Sequence, residues 1–413
     1  MTAAANQRVA AAAAAANGTS GAPASGAPGG ASTLAPSGWL SRIKSPRFTT
    51  PAIMAAILAL LDLIAWILNI PFIEDIFTAG TITLVLVLGF QLFMGNSGIL
   101  NWSYVGYVGI GAFASGILSM TPEFKALQYY TLYPFIVNIH LPFPFSLVAG
   151  AAFAACIAAL VGWPLMRLTD SVGAITQFSL LIVINVLLSQ WQEVTNGPRT
   201  FTLGGSRMTT IWVALVVAVV VLFVVYYFKE SSLGLKLRAS RDDRFAARSS
   251  GINIIAARYA GYIASAFIGG LGGGLFAHYI LSITAQAFYM SELFMLLTMA
   301  VIGGSMSVSG AFFGTMLVTL AQQLVRQLEI MMTRAGIEAS GSTDVVMAIF
   351  LIAFLVWRPN GVSGGGEFSW QAIKRRLHIG GGSDGGVAGD GGAQNGDKID
   401  GAPAPDTAKE EPS

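Results

Sequence analysis

IWVALVVAVVVLFVVYYF, residues 211–228, is an eighteen-residue run with no charge, glycine or proline. A helix of that length rises about 27 Å, close to the hydrocarbon thickness of a bilayer. Directly behind it comes KESSLGLKLRASRDDRFAARSSGINIIAAR, residues 229–258, which carries seven basic side chains. An apolar run followed at once by a basic loop is the pattern of a membrane crossing whose trailing loop stays in the cytoplasm.

The same pattern repeats along the chain. Of 413 residues, 54% are hydrophobic and 11% charged, against roughly 25% charged in a soluble domain. The sequence predicts an all-α, polytopic membrane helical bundle with ten apolar segments: 52–70, 76–95, 102–120, 145–166, 172–194, 210–228, 258–280, 290–304, 308–331 and 343–357. Several hold glycine or polar residues at mid-depth, which marks them as half-helices or re-entrant segments, and the eighth is short for a full crossing. With the N-terminus in the cytoplasm, the inner segments hold Arg42, Lys44, Arg47, Arg167, the seven basic residues of 229–258, Arg358, Lys374, Arg375 and Arg376, and the outer ones only Lys125, Arg199, Arg207 and Arg334. Both termini are therefore expected inside. Residues 1–48 and 364–413 are rich in Ala, Gly, Ser, Pro or Asp and read as disordered cytoplasmic tails around a membrane domain at 50–360.

Net charge is +2, so nothing points to nucleic acid. The one cysteine, Cys156, excludes an intrachain disulfide, and the isolated His140, His278 and His378 give no metal spacing. No phosphate-cradling GxxxxGK[ST] loop is present, and no cofactor or catalytic residue is expected. Membrane-depth acids are few: Asp62 in the first segment, Glu193, Glu292 and Asp344 near segment ends, and Glu329 three residues from Arg326, where the two can pair on one face. So sparse a set does not form the relay of an ion-coupled carrier or channel, which remains the alternative reading, and the energy source is expected outside this chain.

Two kinds of small-residue signal remain. Gly261, Ser265, Gly269, Gly273 and Ala277 recur every four residues in the seventh segment, and Gly310 and Gly314 repeat this in the ninth; such stripes let helices approach closely. Gly-rich breaks follow two long apolar runs, at Gly95, Asn96 and Gly98 before Asn101, and at Gly303, Gly304 and Ser305. Placed at corresponding positions of two halves related as an inverted repeat, segments 2–5 and 7–10, these breaks are expected to line a solute path together with Thr176 and Gln177. Ordinary interhelical turns are the other reading.

In the basic loop, residues 236–250 favour a short helix and Gly251 suits its C-cap. From Gly234-Leu-x-Leu-Arg238-Ala239-x-Arg241 through Ala246-Ala247-x-x-x-Gly251-Ile-Asn, the loop resembles the ATPase-docking loop of branched-chain amino-acid ABC importers, most closely their longer, M-type permease subunit. The similarity runs from about 75 to 360, through VIGGSMSVSGAFFGTML (301–317) to the closing Arg358-Pro359-Asn360-Gly361-Val362. Phe245 stands where the docking signature has Glu, and Asn101-Trp102-Ser103-Tyr104 replaces the usual Ser-Leu-Gly-His. The resemblance implies a bacterial inner-membrane permease that forms the path for branched-chain amino acids or a related small polar solute. It implies two ABC ATPase subunits, a second homologous permease and an extracytoplasmic solute-binding protein as partners. Gly234, Arg238, Ala239, Arg241, Asp242, Ala246, Ala247 and Gly251 are the expected docking residues.

Overall fold

The computed structural model describes residues 46–129, 132–205, 207–335, 341–358 and 361–362. The chain divides into a unit of residues 1–49 and a unit of residues 50–413 that holds the helical bundle. The helices are α1 (Pro46–Leu68), α2 (Pro71–Ser97), α3 (Tyr104–Ser119), α4 (Pro122–Gln128), α5 (Pro134–Val137), α6 (Phe143–Leu165), α7 (Asp170–Gln190), α8 (Gln192–Thr195), α9 (Ile211–Glu230), α10 (Ser232–Asp242), α11 (Arg244–Ser249), α12 (Ile254–Ile280), α13 (Met290–Gly303), α14 (Val308–Arg334) and α15 (Ser342–Trp357). Two-residue strands β1 (Phe201–Thr202) and β2 (Ser282–Ile283) pair antiparallel. Because α1 begins at Pro46, the last three residues of the expected N-terminal tail are helical; the rest of both tails lies outside the described residues.

Each of the ten expected segments is a helix, but among the described residues only seven helices are long and apolar enough to cross a bilayer on their own. The other three, α3, α13 and α15, have 16, 14 and 16 residues. At 1.5 Å per residue they reach about 21–24 Å, short of the roughly 30 Å of hydrocarbon. α3 is followed after a sharp bend of 111° by α4.

Contacts between α2 and α12 fix their relative direction. Ser265 Oγ donates to Gly89 O (2.8 Å) and Tyr279 Oη to Asp75 O (3.0 Å), so α2 and α12 run antiparallel. The bundle thus has two ends. One carries Arg167, the loop 229–258, both Gly-rich breaks and Arg358, and is the basic end. The other carries α4, α5, α8 and the β1–β2 pair, with Lys125, Arg199, Arg207 and Arg334.

α12 forms the centre, packed against α2, α3 and α6. Its small-residue stripe is spent inside the subunit: Gly269 lies under Tyr104, and a Cβ on Gly273 would fall 2.1 Å from Val108 O. Close approach replaces the hydrophobic drive that lipid does not supply. Asp62 is likewise packed rather than poised for transport; it is buried between α1 and α2 and accepts only the Thr81 hydroxyl, at 3.2 and 3.3 Å. The expected Arg326–Glu329 pair does not form. Glu329 instead accepts from Gly341 N (3.1 Å) and from the Thr343 hydroxyl, tying the start of α15 to α14.

At the end opposite the basic one, Lys125 is fully buried and its Nζ donates to Ile136 O (3.2 Å) and Ile139 O. Burial pushes its amine down to about 8.

Candidate functional site

The basic loop folds into two short helices set by their caps. Ser231 Oγ accepts from Gly234 N (3.3 Å) to start α10. Asp243 Oδ1 accepts from Phe245 N (2.8 Å) and Ala246 N (3.0 Å) to start α11. Gly251, at φ +76, ends it. Asn253 Oδ1 then accepts from Ala256 N (3.1 Å), and α12 begins. Four polar or glycine residues thus specify the chain path.

α10 is clamped to the bundle. A Cβ on Gly234 would lie 2.3 Å from Phe228 O, so only glycine permits this crossing over the end of α9. Leu237 is fully buried against Gly261, and Arg238 Nη2 donates to Lys229 O (2.8 Å). Ala239 is half-buried and Asp242 exposed. On α11 the two alanines part: Ala246 faces out, while Ala247 is 4% exposed and faces the bundle. The outward apolar groups are Leu233, Leu235 and, above all, Phe245, which is 83% exposed.

Arg241 joins this loop to the first break. Its Nη1 donates to Gly95 O (2.8 Å), and its side chain runs under Gly98, whose Cβ position lies 2.6 Å from Arg241 Cγ. Gly98, at φ +70, ends α2. The second break meets the same place. Gln91 Nε2 donates to Ser305 O, Lys229 Nζ donates to Met306 O (3.0 Å), and Val362 N returns to Ile302 O (2.8 Å). Gly303 and Gly304 are buried beneath, with Gly303 against Gly310 O. A cavity of about 310 Å³ lies between the breaks, lined by Met94, Gly95, Gly98, Leu297, Ser305 and Arg241 among others.

The two Gly-rich breaks therefore touch at one end, which corrects their expected places as mates of an inverted repeat. The mate of Gly98 is Leu281. Each ends a 27-residue helix, α2 or α12, in the left-handed region (φ 70 and 63), and each precedes an irregular link and a short helix. α7 measures how far the links enter. Gln177 Oε1 accepts from Trp102 N (3.2 Å), seven residues or about 10 Å into α7. Asn185 Nδ2 donates to Ala285 O (2.8 Å), five residues or about 8 Å from its other end. The two links thus lie alongside α7, one from each of its ends.

Of the remaining path candidates, Asn96 is buried and bonds back to Leu92 O (2.8 Å). Thr176 is half-exposed and bonds back to Val172 O (2.8 Å). Asn101 is fully buried; its Oδ1 accepts from Ser103 Oγ (2.9 Å) and its Nδ2 has no partner. Since that bond uses the Ser103 proton, Tyr262 Oη must donate to Ser103 Oγ (2.6 Å) and Tyr107 Oη to Tyr262 Oη (2.8 Å). Sequence reasoning missed Gln91, Lys229 and this pair of tyrosines. Gln91 alone left a signal, as a lone amide inside an apolar run.

A helical bundle with seven helices long and apolar enough to cross a bilayer, among the described residues, is the architecture of a polytopic membrane protein. Residues 72–356 match the family model for the branched-chain amino acid transport system / permease component, and the chain belongs to that family. It is 26% identical over 369 residues to the high-affinity branched-chain amino acid transport system permease protein LivM of Escherichia coli (strain K12), covering 78% of this chain and 79% of that one. The Salmonella typhimurium LivM is 25% identical over the same shares. The nucleoside ABC transporter permease protein NupC of Lactococcus lactis is 25% identical over 66% of this chain and 90% of its own. No solved structure matches the chain. The protein is a transport permease and a multi-pass membrane protein.

Proposed function

We propose that this chain is the passive translocation subunit of an ATP-driven importer, with the basic end in the cytoplasm and α10–α11 as the seat of an ABC ATPase. The observation that carries this is Arg241, which links the exposed loop to the backbone of the first helix break. A push on α10 reaches Gly95 and Gly98 without passing through flexible chain. Two ATPase subunits, a second homologous permease and an external solute-binding protein complete the reading, by analogy with the LivM relatives. The nucleoside permease among the relatives means that family membership alone does not decide the solute.

Ala246 and Phe245 face outward and form the contact, with Arg244 and Arg248 exposed at its rim. Ala247 supports α11 from below. Co-purification of the ATPase subunits with the tagged permease tests this. Ala246→Trp should lose the ATPases while inserting normally, because Ala246 faces away from the bundle. Retention of both ATPases at wild-type ratio would remove the loop from the interface.

A further inference from the structure

The chain between α3 and α6 returns to the level at which it left. Leu141 N donates to Leu118 O (2.8 Å), and His140 Nδ1 donates to Met120 O (3.0 Å). α6 sets that level. Near its basic end the Arg167 guanidinium lies over the Trp163 ring, 4.7 Å from the centroid, an aromatic and a cation of the kind that sit together at the headgroups. Phe143, the first residue of α6, comes twenty residues before Trp163, a rise of about 30 Å and so one hydrocarbon thickness. Residues 120–142 therefore lie at the headgroup layer of the leaflet opposite the basic end. The 111° bend after α3 turns α4 close to a right angle with α3, toward the membrane plane. Lys125 Nζ, donating to Ile136 O and Ile139 O, closes α4 onto α5.

The surface of this segment is wrong for water. From Ala126 to Met166 the chain has no Asp, Glu, Lys or Arg. Leu127 is 88% exposed, Phe135 and Phe145 are each 67% exposed, and Tyr133 and Ile139 are exposed beside them. The Tyr133 and Phe135 rings stack, with centroids 5.8 Å apart. The neighbouring link at this end, 191–210, is built for water: it carries Glu193, Arg199 and Arg207, and Gln192, Asn196 and Arg199 help to line a polar cavity of about 450 Å³. Tyrosine rings beside bare apolar groups suit the layer where one end of a side chain is apolar and the other wet. A partner protein arriving from water would leave these groups bare until it docked, whereas the bilayer meets them from insertion onward.

We propose that the segment from Pro122 to Phe145 is a membrane-surface anchor, with Leu127, Tyr133, Phe135, Ile139 and Phe145 set among the headgroups and first acyl carbons of that leaflet. Its partner is the phospholipid bilayer itself. With no charge in the contact, the anchor holds by apolar burial and needs no anionic lipid.

The test uses the permease reconstituted with its partner subunits in proteoliposomes. On a Cys156→Ser background, Phe135→Cys and Leu127→Cys are each labelled with a small fluorophore, and Arg199→Cys on the charged link serves as the reference. Phospholipid carrying a nitroxide near the headgroup end of its acyl chain should quench both anchor labels several-fold more than the reference label. Aqueous iodide should show the reverse order. Replacing phosphatidylglycerol by phosphatidylcholine should leave the lipid quenching unchanged. Quenching of both anchor labels by iodide as strongly as the reference would place the segment in water and overturn the proposal. Shielding of both labels from lipid and iodide alike would mean that a protein covers this face, and also overturns it. Lipid quenching that vanishes without phosphatidylglycerol would contradict the uncharged mode of anchoring.

Discussion

Arg241 spans 146 positions of sequence to reach Gly95 O, and the bond decides what the loop can do. Arg241→Ala should leave the permease assembled and its ATPases bound, because the side chain points into the bundle and not at the partner. Hydrolysis should continue while uptake per ATP falls, which parallel phosphate-release and uptake assays would read. Gly98→Ala should be destabilising by roughly 1–2 kcal/mol from its left-handed backbone alone, and more because the new Cβ meets Arg241. Phe245→Ala should weaken ATPase binding by about 1.5–3 kcal/mol if the ring is buried on docking, measurable as a shift in the titration of ATPase onto permease. At this scale the sequence was partly legible. Asn101 and Gln177 stood out as amides in apolar surroundings, and the structure brings both to the first link. The orientation of Ala247 was not legible, since burial on a six-residue helix depends on which side the bundle lies. Nor was Leu281, whose left-handed backbone carries no glycine to announce it.

Helix length is the property that separates the elements. Uninterrupted helices of 27 residues such as α2 and α12 cross with length to spare, while α3 and α13 are short helices that follow the two links alongside α7. Hydropathy located all ten, because apolar composition is local. It did not reveal that the two Gly-rich breaks meet, because their contact depends on how α2 and α13 pack. The segment between α3 and α6 is held by Lys125, whose folded amine titrates near 8 rather than 10.5. Below about pH 8 the lysine is charged in both folded and unfolded chains, and the cost of burying that charge is present in full. Between about 8 and 10.5 only the unfolded chain keeps the proton, so stability of this segment should rise with pH. Lys125→Met should remove that rise, as followed by protease cleavage of residues 120–142 across the pH series. An unchanged slope in the variant would place the titrating group elsewhere.

For the whole molecule, the uneven basic residues are the ground for the proposed cytoplasmic facing of loop 229–258. A cysteine at the exposed Ser249, on a Cys156-free background, should resist an impermeant thiol reagent in intact cells and react after lysis. Asp62 and Glu329 are both held by neighbouring groups within the subunit. In the proposed mechanism, ATP hydrolysis by docked partners, and no ion gradient, drives solute through this chain. Reconstituted with its partner subunits, the permease should accumulate solute in vesicles given ATP while ionophores hold proton and sodium gradients at zero, and Ala246→Trp should abolish that accumulation. Uptake that ignores ATP but follows an imposed proton or sodium gradient would contradict it.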